Sequence, residues 1–439
     1  MSTTGAQVTA YTVLDRIAYL SSRNADQEFT SLMHHVNVEA LRSCYQKLDG
    51  KKAIGADGIS KAQFGEDLCA NLEELVAKMK SMSYRPGPVR QVLIPKEGKA
   101  GATRPLGISN LLDKLVQKRF QEILEAIYDP IFLDCSYGFR PGRSCHDAIK
   151  ALDKHLYQQE VETVIDVDLE NFFGTIDQNL LVEMLGRKIK DPGFIRYIWR
   201  MFKSGLLADG ELIYEEEGVV QGSCCSPVLA NIFAHYVIDE WFHHEVKRHC
   251  EAGAVQMYRY ADDIIIVCRY EKDAMRIKES LGKRLAKYGL KMNEDKTKLV
   301  KFSKSQLAKG IPQEAFDFLG FTFYIGRSKR GKALIKLKTC GKRLRSKLKK
   351  VNEWARMNRS RYKLDEFWQR FIARMRGHIQ YFGVSFNMKA VSKYIHEATR
   401  IMFKWLNRRS QRKSFTWEEF NLLLQRCPLP EVMIKHRLF

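Results

Sequence analysis

Two short apolar runs enclose a pair of aspartates, and this stretch restricts the fold more than any other in the chain. Val255-Gln256-Met257-Tyr258 precedes Tyr260-Ala261-Asp262-Asp263, and Ile264-Ile265-Ile266-Val267 follows. Apolar runs this short, bounded by polar residues, read as strands. The aspartates then lie at the turn of a β-hairpin. Two like charges at such a turn repel, and the nearest base, Arg259, cannot by itself offset both. A divalent cation is the simplest compensation, because Mg²⁺ takes few carboxylates and keeps positions open for phosphate oxygens. Taken alone, Asp-Asp is equally an ordinary polar turn. The rest of the chain decides between the two.

The chain has 439 residues, of which 45% are hydrophobic. That is long enough for roughly two to four domains with real cores, and it excludes a disordered protein. The formal net charge of +22 points to a polyanionic partner, nucleic acid before an anionic membrane surface. No apolar run approaches the roughly 20 residues of a spanning helix. Residues 1–23 do not show the basic and apolar regions of a signal peptide. The ten cysteines lack CxxC spacing, and Cys224-Cys225 are mere neighbours, so they read as reduced thiols of a cytoplasmic protein. The eleven histidines show no metal-ligand spacing either: His34-His35 and His243-His244 are adjacent and diverge on a helix.

Along the chain, residues 13–21, 36–48 and 68–82 read as helices, interrupted by the turn signal Gly55-Ala56-Asp57-Gly58. Residues 83–110 are strand-like and basic. Residues 111–160 are mostly helical with a break at 137–143, and a strand follows at 163–169. Helices at 177–204, a short hairpin at 205–220 and a helix at 226–248 lead to the Asp-Asp hairpin. A helix at 272–288 and strands at 297–302 and 316–324 come next. This order of elements suggests an α+β domain. From 327 to 363 basic residues dominate, and Glu353 is the only acid. Solvated faces usually mix signs, so this reads as a separate, helical, basic module.

A further carboxylate completes a candidate centre. The strand Val164-Ile165-Asp166-Val167-Asp168 ends in an acid and runs into Asn171-Phe172-Phe173. Asp168, Asp262 and Asp263 would form a three-carboxylate cluster of the kind two-metal phosphoryl transfer needs, with cations about 4 Å apart. Adjacent strands of one sheet would assemble it. Asp166 competes with Asp168, because strand alternation puts both on one face. Periodicity does not choose between them.

Eight segments in order resemble a group II intron-encoded reverse transcriptase/maturase. They are residues 51–59 (KKAIGADGI), Ile94-Pro95-Lys96 with 104–108 (RPLGI), 136–143 (SYGFRPGR), 168–173 (DLENFF), 221–227 (QGSCCSP), 260–263 (YADD), 289–298 (GLKMNEDKTK) and 318–321 (FLGF). The resemblance covers residues 30–439. It implies a right-hand polymerase fold: fingers and palm with an antiparallel palm sheet, then an α-helical thumb, or maturase X domain. The implied boundaries are 1–75 for an N-terminal helical extension of the fingers, 76–330 for fingers and palm, 331–410 for the thumb, and 411–439 for a basic tail. No endonuclease segment is expected.

The same resemblance selects Asp168 over Asp166 and gives each residue a role. Asp168, Asp262, Asp263 and the carbonyl of Leu169 would hold two Mg²⁺ ions, with Mn²⁺ as a substitute. Lys96 and Arg104 would hold the dNTP triphosphate, a task for which an ammonium and a forked guanidinium are suited. Phe173 would close on the sugar 2′-carbon and reject a ribose 2′-hydroxyl, and Gln221 would pack near the incoming base. Lys296 would serve the departing pyrophosphate as a general acid or by its charge. Residues 318–321 resemble the turn that positions a primer end. Val220 and Ser223-Cys224-Cys225 depart from the usual wording around Gln221, which bears on fidelity. Arg140, Arg143, Lys342, Arg343, Lys347 and Lys350 would contact nucleic acid through its backbone, with strong salt dependence. Arg376-Gly377-His378, Tyr381-Phe382 and residues 403–409 match the thumb signature. The implied activity is RNA-directed DNA polymerisation, with splicing assistance to a host intron. The implied partners are an RNA template, a DNA or RNA primer, dNTPs, group II intron RNA and target DNA, and no membrane. The alternatives are a splicing maturase with a vestigial site, or a defence- or retron-type relative.

Overall fold

A computed structural model of the chain describes residues 3–95, 103–208, 210–214, 217–219, 222–409 and 415–438, with the side chains of 3–12 excepted. Lys96 and Gln221 therefore lie outside the described residues. The chain opens with helices α1 (Thr3–Arg23), α2 (Val38–Lys47), a short α3 (Lys61–Glu66) and α4 (Leu68–Lys80). Asn37 and Ser60 cap α2 and α3 by accepting from backbone amides, and α3 has a full capping box with Gln63. Strands β1 (Val89–Pro95) and β2 (Thr103–Ile108) pair antiparallel. Then come α5 (Leu111–Tyr128) and α6 (Cys145–Gln158). The break between them is the 136–143 segment, which ends at the Ser144–Asp147 capping box of α6.

Strand β3 (Thr163–Val167), helices α7 (Gln178–Gly186) and α8 (Pro192–Phe202), and the small hairpin β4 (Leu206–Ala208) and β5 (Glu211–Ile213) follow. β4 lies parallel to β1, giving a first sheet of order β2-β1-β4-β5. The segment 226–248, expected as one helix, is α9 (Ser226–Ala234) continued by widened π-helical turns over His235–Asp239 and Phe242–Val246. β6 (Val255–Tyr260) and β7 (Asp263–Cys268) form the expected hairpin, and α10 (Glu271–Lys287) and β8 (Lys298–Lys301) follow. The second sheet has the order β6-β7-β3-β8 and is antiparallel throughout.

This second sheet is buried on both faces, which is why its strands read as continuous apolar runs rather than alternating ones. Ile165, Val167, Ile264 and Ile266 face a core shared with α5, α7 and α9. Val164, Ile265, Val267 and Val300 face a second core, which contains Phe367, Trp368, Phe371 and Phe382 from the C-terminal helices. The basic module thus shares the core behind the sheet. It also does not start as helix. After a short α11 (Lys304–Ala308) and β9 (Ala315–Phe318), β10 (Phe321–Arg327) pairs with β11 (Ala333–Thr339). Ile335, Leu337 and Thr339 are buried in alternation with Lys336 and Lys338, a strand pattern inside the segment expected to be helical. Helices α12 (Gly341–Asn358), α13 (Leu364–Phe382), α14 (Met388–Leu406) and α15 (Trp417–Arg426) complete the fold. Among the described residues, no helix is long and apolar enough to cross a membrane. All ten cysteines are unpaired.

Candidate active site

The register of the second sheet builds the site. β3 and β7 pair with Val167 opposite Ile264, so Asp168, one residue past β3, emerges at the end where the Ala261-Asp262 turn closes the hairpin. Asp168 is fixed from the next loop: its amide donates to Thr297 Oγ1 at 3.2 Å, and its carbonyl accepts from the Asn293 amide at 2.8 Å. Leu169 bridges to Met292 in antiparallel fashion, and the Glu170 amide donates to the Lys291 carbonyl at 2.9 Å. Asn171 then takes a left-handed conformation, φ 44°, which turns the chain into the helical turn of Phe172 and Phe173. Phe173 is half-buried, and its carbonyl accepts from Val219 at 2.8 Å.

A cavity of about 630 Å³ opens here. Asp168, Leu169, Phe173, Arg104, Asp262 and Lys296 all line it. Gly222 closes its rim against the first sheet; at φ 110° a Cβ there would lie 2.2 Å from the Gly107 carbonyl oxygen. A second cavity, of about 360 Å³, lies on the other side of the turn. Asp262 and Asp263 line it together with Leu319, Gly320, Arg343 and Lys347. Leu319 and Gly320 form the β9–β10 turn, both at positive φ, as a two-residue I′ hairpin requires. The Tyr381 hydroxyl donates to the Leu319 carbonyl at 2.8 Å, tying that turn to α13.

The electrostatics of the carboxylates are mutually unfavourable. Asp262 and Asp263 both reach solvent at the turn, yet partial desolvation by the surrounding walls, with Asp168 beside it, holds Asp262 above the usual carboxylate range. Asp263 is pushed up to about 6, by the same desolvation first and then by Asp262. Asp166 is pushed up to about 7 by burial, Asp263 and Asp317; it sits on β3 opposite Ile265 and Lys298, away from the larger cavity. Lys296 meets Asp168 across 2.8 Å in a half-exposed pair. The expected three-carboxylate cluster is a two-plus-one arrangement: among the described residues no three His, Cys, Asp or Glu side chains come close enough to hold one ion. Asp262 is at the apex of the turn and Asp263 opens β7, so the two neighbours diverge. The donor set still suits a divalent cation. Asp168 and Asp262 offer only oxygens and line one water-accessible cavity, and the charge of Asp168 raises the proton affinity of Asp262, a sign that a cation between them would reverse.

Two of the basic residues expected at nucleic acid have other tasks here. Arg140 is buried; it ion-pairs with Asp129 at 2.7 Å and donates to the carbonyls of Asp129, Leu133 and Ser136. The guanidinium thus adds a donor to each of these carbonyls where the chain turns, and the Asp129 carboxylate offsets its charge, so it is drawn inward. Arg143 likewise bonds Asp134, at 2.6 Å, within its own loop. Lys342, Arg343, Lys347 and Lys350 lie on α12, with Arg343, Lys347 and Lys350 on one stripe leading away from the Asp263 cavity. Three residues of the site were not singled out in the sequence. Phe139, exposed and at φ 55°, lines both cavities. Gly138 packs on the turn so closely that a Cβ would lie 2.4 Å from the Ala261 nitrogen. Asn231 donates to the Gly138 carbonyl at 2.6 Å. The first two fall inside the 136–143 segment; Asn231 left no signal.

The family profile described as reverse transcriptase (RNA-dependent DNA polymerase) matches residues 94–323, which take in β2, the whole lining of the larger cavity and the whole second sheet. The chain belongs to the reverse transcriptase family. Among its relatives, group II intron-encoded protein LtrA of Lactococcus lactis subsp. cremoris is 34% identical over 227 residues, 51% of this chain and 37% of LtrA. Protein YkfC of Escherichia coli (strain K12) is 31% identical over 312 residues, 64% of this chain and 78% of YkfC. The uncharacterized 91 kDa protein in the cob intron of Schizosaccharomyces pombe is 34% identical over 206 residues, 47% of this chain and 25% of that protein. The chain thus spans little more than a third of LtrA. The family generally uses divalent metal ions, in keeping with the oxygen donors of Asp168 and Asp262.

Proposed function

We propose that this chain is an RNA-directed DNA polymerase that extends a primer on an RNA template, and that it also binds a group II intron RNA to assist its splicing and mobility. The observation that carries the reading is the meeting of Asp168 and Asp262 in one cavity whose walls also present Arg104 and Phe173. The second sheet serves as the palm, the first sheet with α1–α5 as fingers, and α12–α14 as the thumb. Asp168, Asp262, Asp263 and the Leu169 carbonyl would hold two Mg²⁺ ions. When bound, these supply charge neutralisation for the attacking 3′-oxygen and the leaving pyrophosphate.

The chain's own residues do the rest. Arg104 clamps the triphosphate through two parallel hydrogen bonds, and Lys96 adds a point charge. Phe173 stands against the sugar and excludes a 2′-hydroxyl, while Gln221 backs the incoming base. The half-exposed Lys296–Asp168 pair is worth only about 0–1 kcal/mol. It gives way easily, leaving the Lys296 ammonium to donate its proton to a pyrophosphate oxygen. The α12 stripe holds the template–primer duplex by its phosphates. Support for an intron RNA comes from the relatives named for introns.

Primer extension on an RNA template tests the reading. Wild-type protein extends with dNTPs and a divalent cation, while Asp262→Asn and Asp168→Asn lose extension and keep template–primer binding. Extension that survives either substitution refutes the site. For the intron, wild-type protein should retain group II RNA in a filter assay against excess unstructured RNA, and equal retention of the two removes that partner.

A further inference from the structure

A fully buried cation lies beneath the turn that carries Asp262. Arg259 sits on β6, and its Nε and Nη2 meet the two carboxylate oxygens of Asp239 at 2.7 and 2.5 Å. Nη2 also donates to Ser136 Oγ at 2.7 Å. Nη1 donates to Asn231 Oδ1 at 3.0 Å and to the carbonyl of Ala261 at 3.2 Å. The backbone of Arg259 is pinned as well: its amide donates to the Cys135 carbonyl at 2.7 Å, and its carbonyl accepts from Tyr137 at 2.8 Å. Ala261, the residue so gripped, has φ 58°, a conformation that L side chains rarely hold without support.

We propose that Arg259, anchored by Asp239, is the positioning residue that fixes Asp262, by clamping the Ala261 carbonyl and so aiming the carboxylate into the larger cavity. The inference rests on the polymerase reading above. A buried ion pair contributes little net stability, and an apolar pair of similar volume often does as well. Packing alone therefore does not call for Arg259 and Asp239 at this point. What the pair supplies is direction. A guanidinium presents donors in a rigid planar fork, so it can grip Asp239 on one side and still reach Ser136, Asn231 and Ala261. An ammonium at the same position is a single point and cannot span them. Asp239 belongs to the π-helical turn His235–Asp239, and widened turns of this kind recur at functional sites. The clamp also joins three separate elements at one atom group: the 136–143 segment, α9 with its continuation, and the hairpin itself.

Arg259→Lys keeps the charge and removes the fork, and it tests the proposal. Mn²⁺ binding to the protein without nucleic acid, read by the EPR signal of free Mn²⁺, should weaken at least about tenfold, as it should in Asp262→Asn. In primer extension kcat should fall at least about tenfold, while KM for dNTP and template–primer affinity stay within about twofold. A folded Arg259→Lys with wild-type Mn²⁺ affinity and kcat overturns the proposal. So does a loss of kcat, KM and duplex binding together, which marks general damage. If Arg259→Lys does not fold, Ser136→Ala removes a single anchor; a measurable drop in Mn²⁺ affinity at unchanged melting temperature supports the clamp, and unchanged affinity overturns it. Wild-type protein that binds Mn²⁺ through Asp262 yet extends no primer sinks the polymerase reading alone. Extension with Mn²⁺ affinity indifferent to Arg259→Lys sinks the clamp alone.

Discussion

Gly138→Ala should disable the site without unfolding the protein, and its magnitude can be worked from the packing. A Cβ at Gly138 would lie 2.4 Å from the Ala261 nitrogen and 2.9 Å from the Tyr260 carbonyl carbon. Ordinary contact begins near 3.4 Å, so the Asp262-bearing turn must retreat by about 1 Å. Both clashing atoms are backbone, and no side chain can swing aside. A displacement of 1 Å at a reacting centre costs on the order of 10²-fold in rate. Overpacking of this kind costs about 1–3 kcal/mol of stability. Steady-state primer extension should therefore show kcat down about 100-fold, with template–primer affinity unchanged and the protein still folded at 25 °C. Gly142→Ala is the control. It lies in the same segment at φ 70°, with nothing within 4 Å of the added Cβ, so it carries backbone strain of about 1–2 kcal/mol and no clash. Equal loss of activity in both variants, or wild-type activity in Gly138→Ala, would refute the reasoning.

Other substitutions have directions set by the structure. Phe173→Val should raise incorporation of ribonucleotides relative to deoxyribonucleotides in single-nucleotide extension, and an unchanged ratio would remove Phe173 from the sugar pocket. Asp153→Asn should stabilise the protein above neutral pH. Asp153 is buried with one carboxylate oxygen unpartnered, and burial pushes its pKa up to about 6 from 3.8. The fold therefore favours the protonated form: its contribution is full below pH 3.8 and is lost as pH rises through about 6. A gap of about two units corresponds to ~3 kcal/mol, so urea titrations of wild type and Asp153→Asn should diverge between pH 4 and 7, and parallel curves would deny the burial. Reversing Arg343, Lys347 and Lys350 together should weaken duplex binding and flatten the slope of log affinity against log salt by about 2–3. An unaltered slope would make the α12 stripe a mere solvated face.

The parts of this molecule that were legible in its sequence are those where a local pattern and the tertiary environment agree. The 255–268 hairpin was readable because both strands are apolar and the turn is polar, and burial on both faces needs only that. Asp168 and Asp166 were inseparable by periodicity; the register of β3 against β7 and β8 distinguishes them, and register is a property of the sheet. β11 was missed because lysines at 336 and 338 swamped the alternation of Ile335 and Leu337 with basic charge. The inward turn of Arg140 and of Arg259 left no signal in the sequence, for one reason. Whether an arginine faces solvent or turns inward depends on carbonyls and carboxylates supplied by distant elements, here Ser136 and Asp129 for one and Asp239 for the other. The widened turns after α9 left no mark in the composition.

The core that joins the back of the second sheet to the C-terminal helices has a consequence for how such a chain can be divided. Residue 331 looks like a seam, since the charge changes just before it and it lies in the turn between β10 and β11. A cut at that point would strip Phe367, Trp368, Phe371 and Phe382 from the core that also holds Val164, Ile265, Val267 and Val300 of the second sheet. The apolar residues left without those partners would be an invitation to aggregate. The helices that would grip a duplex therefore also complete the core behind the sheet. The two halves can be altered separately on their surfaces, but they can be exchanged between chains only as a matched pair.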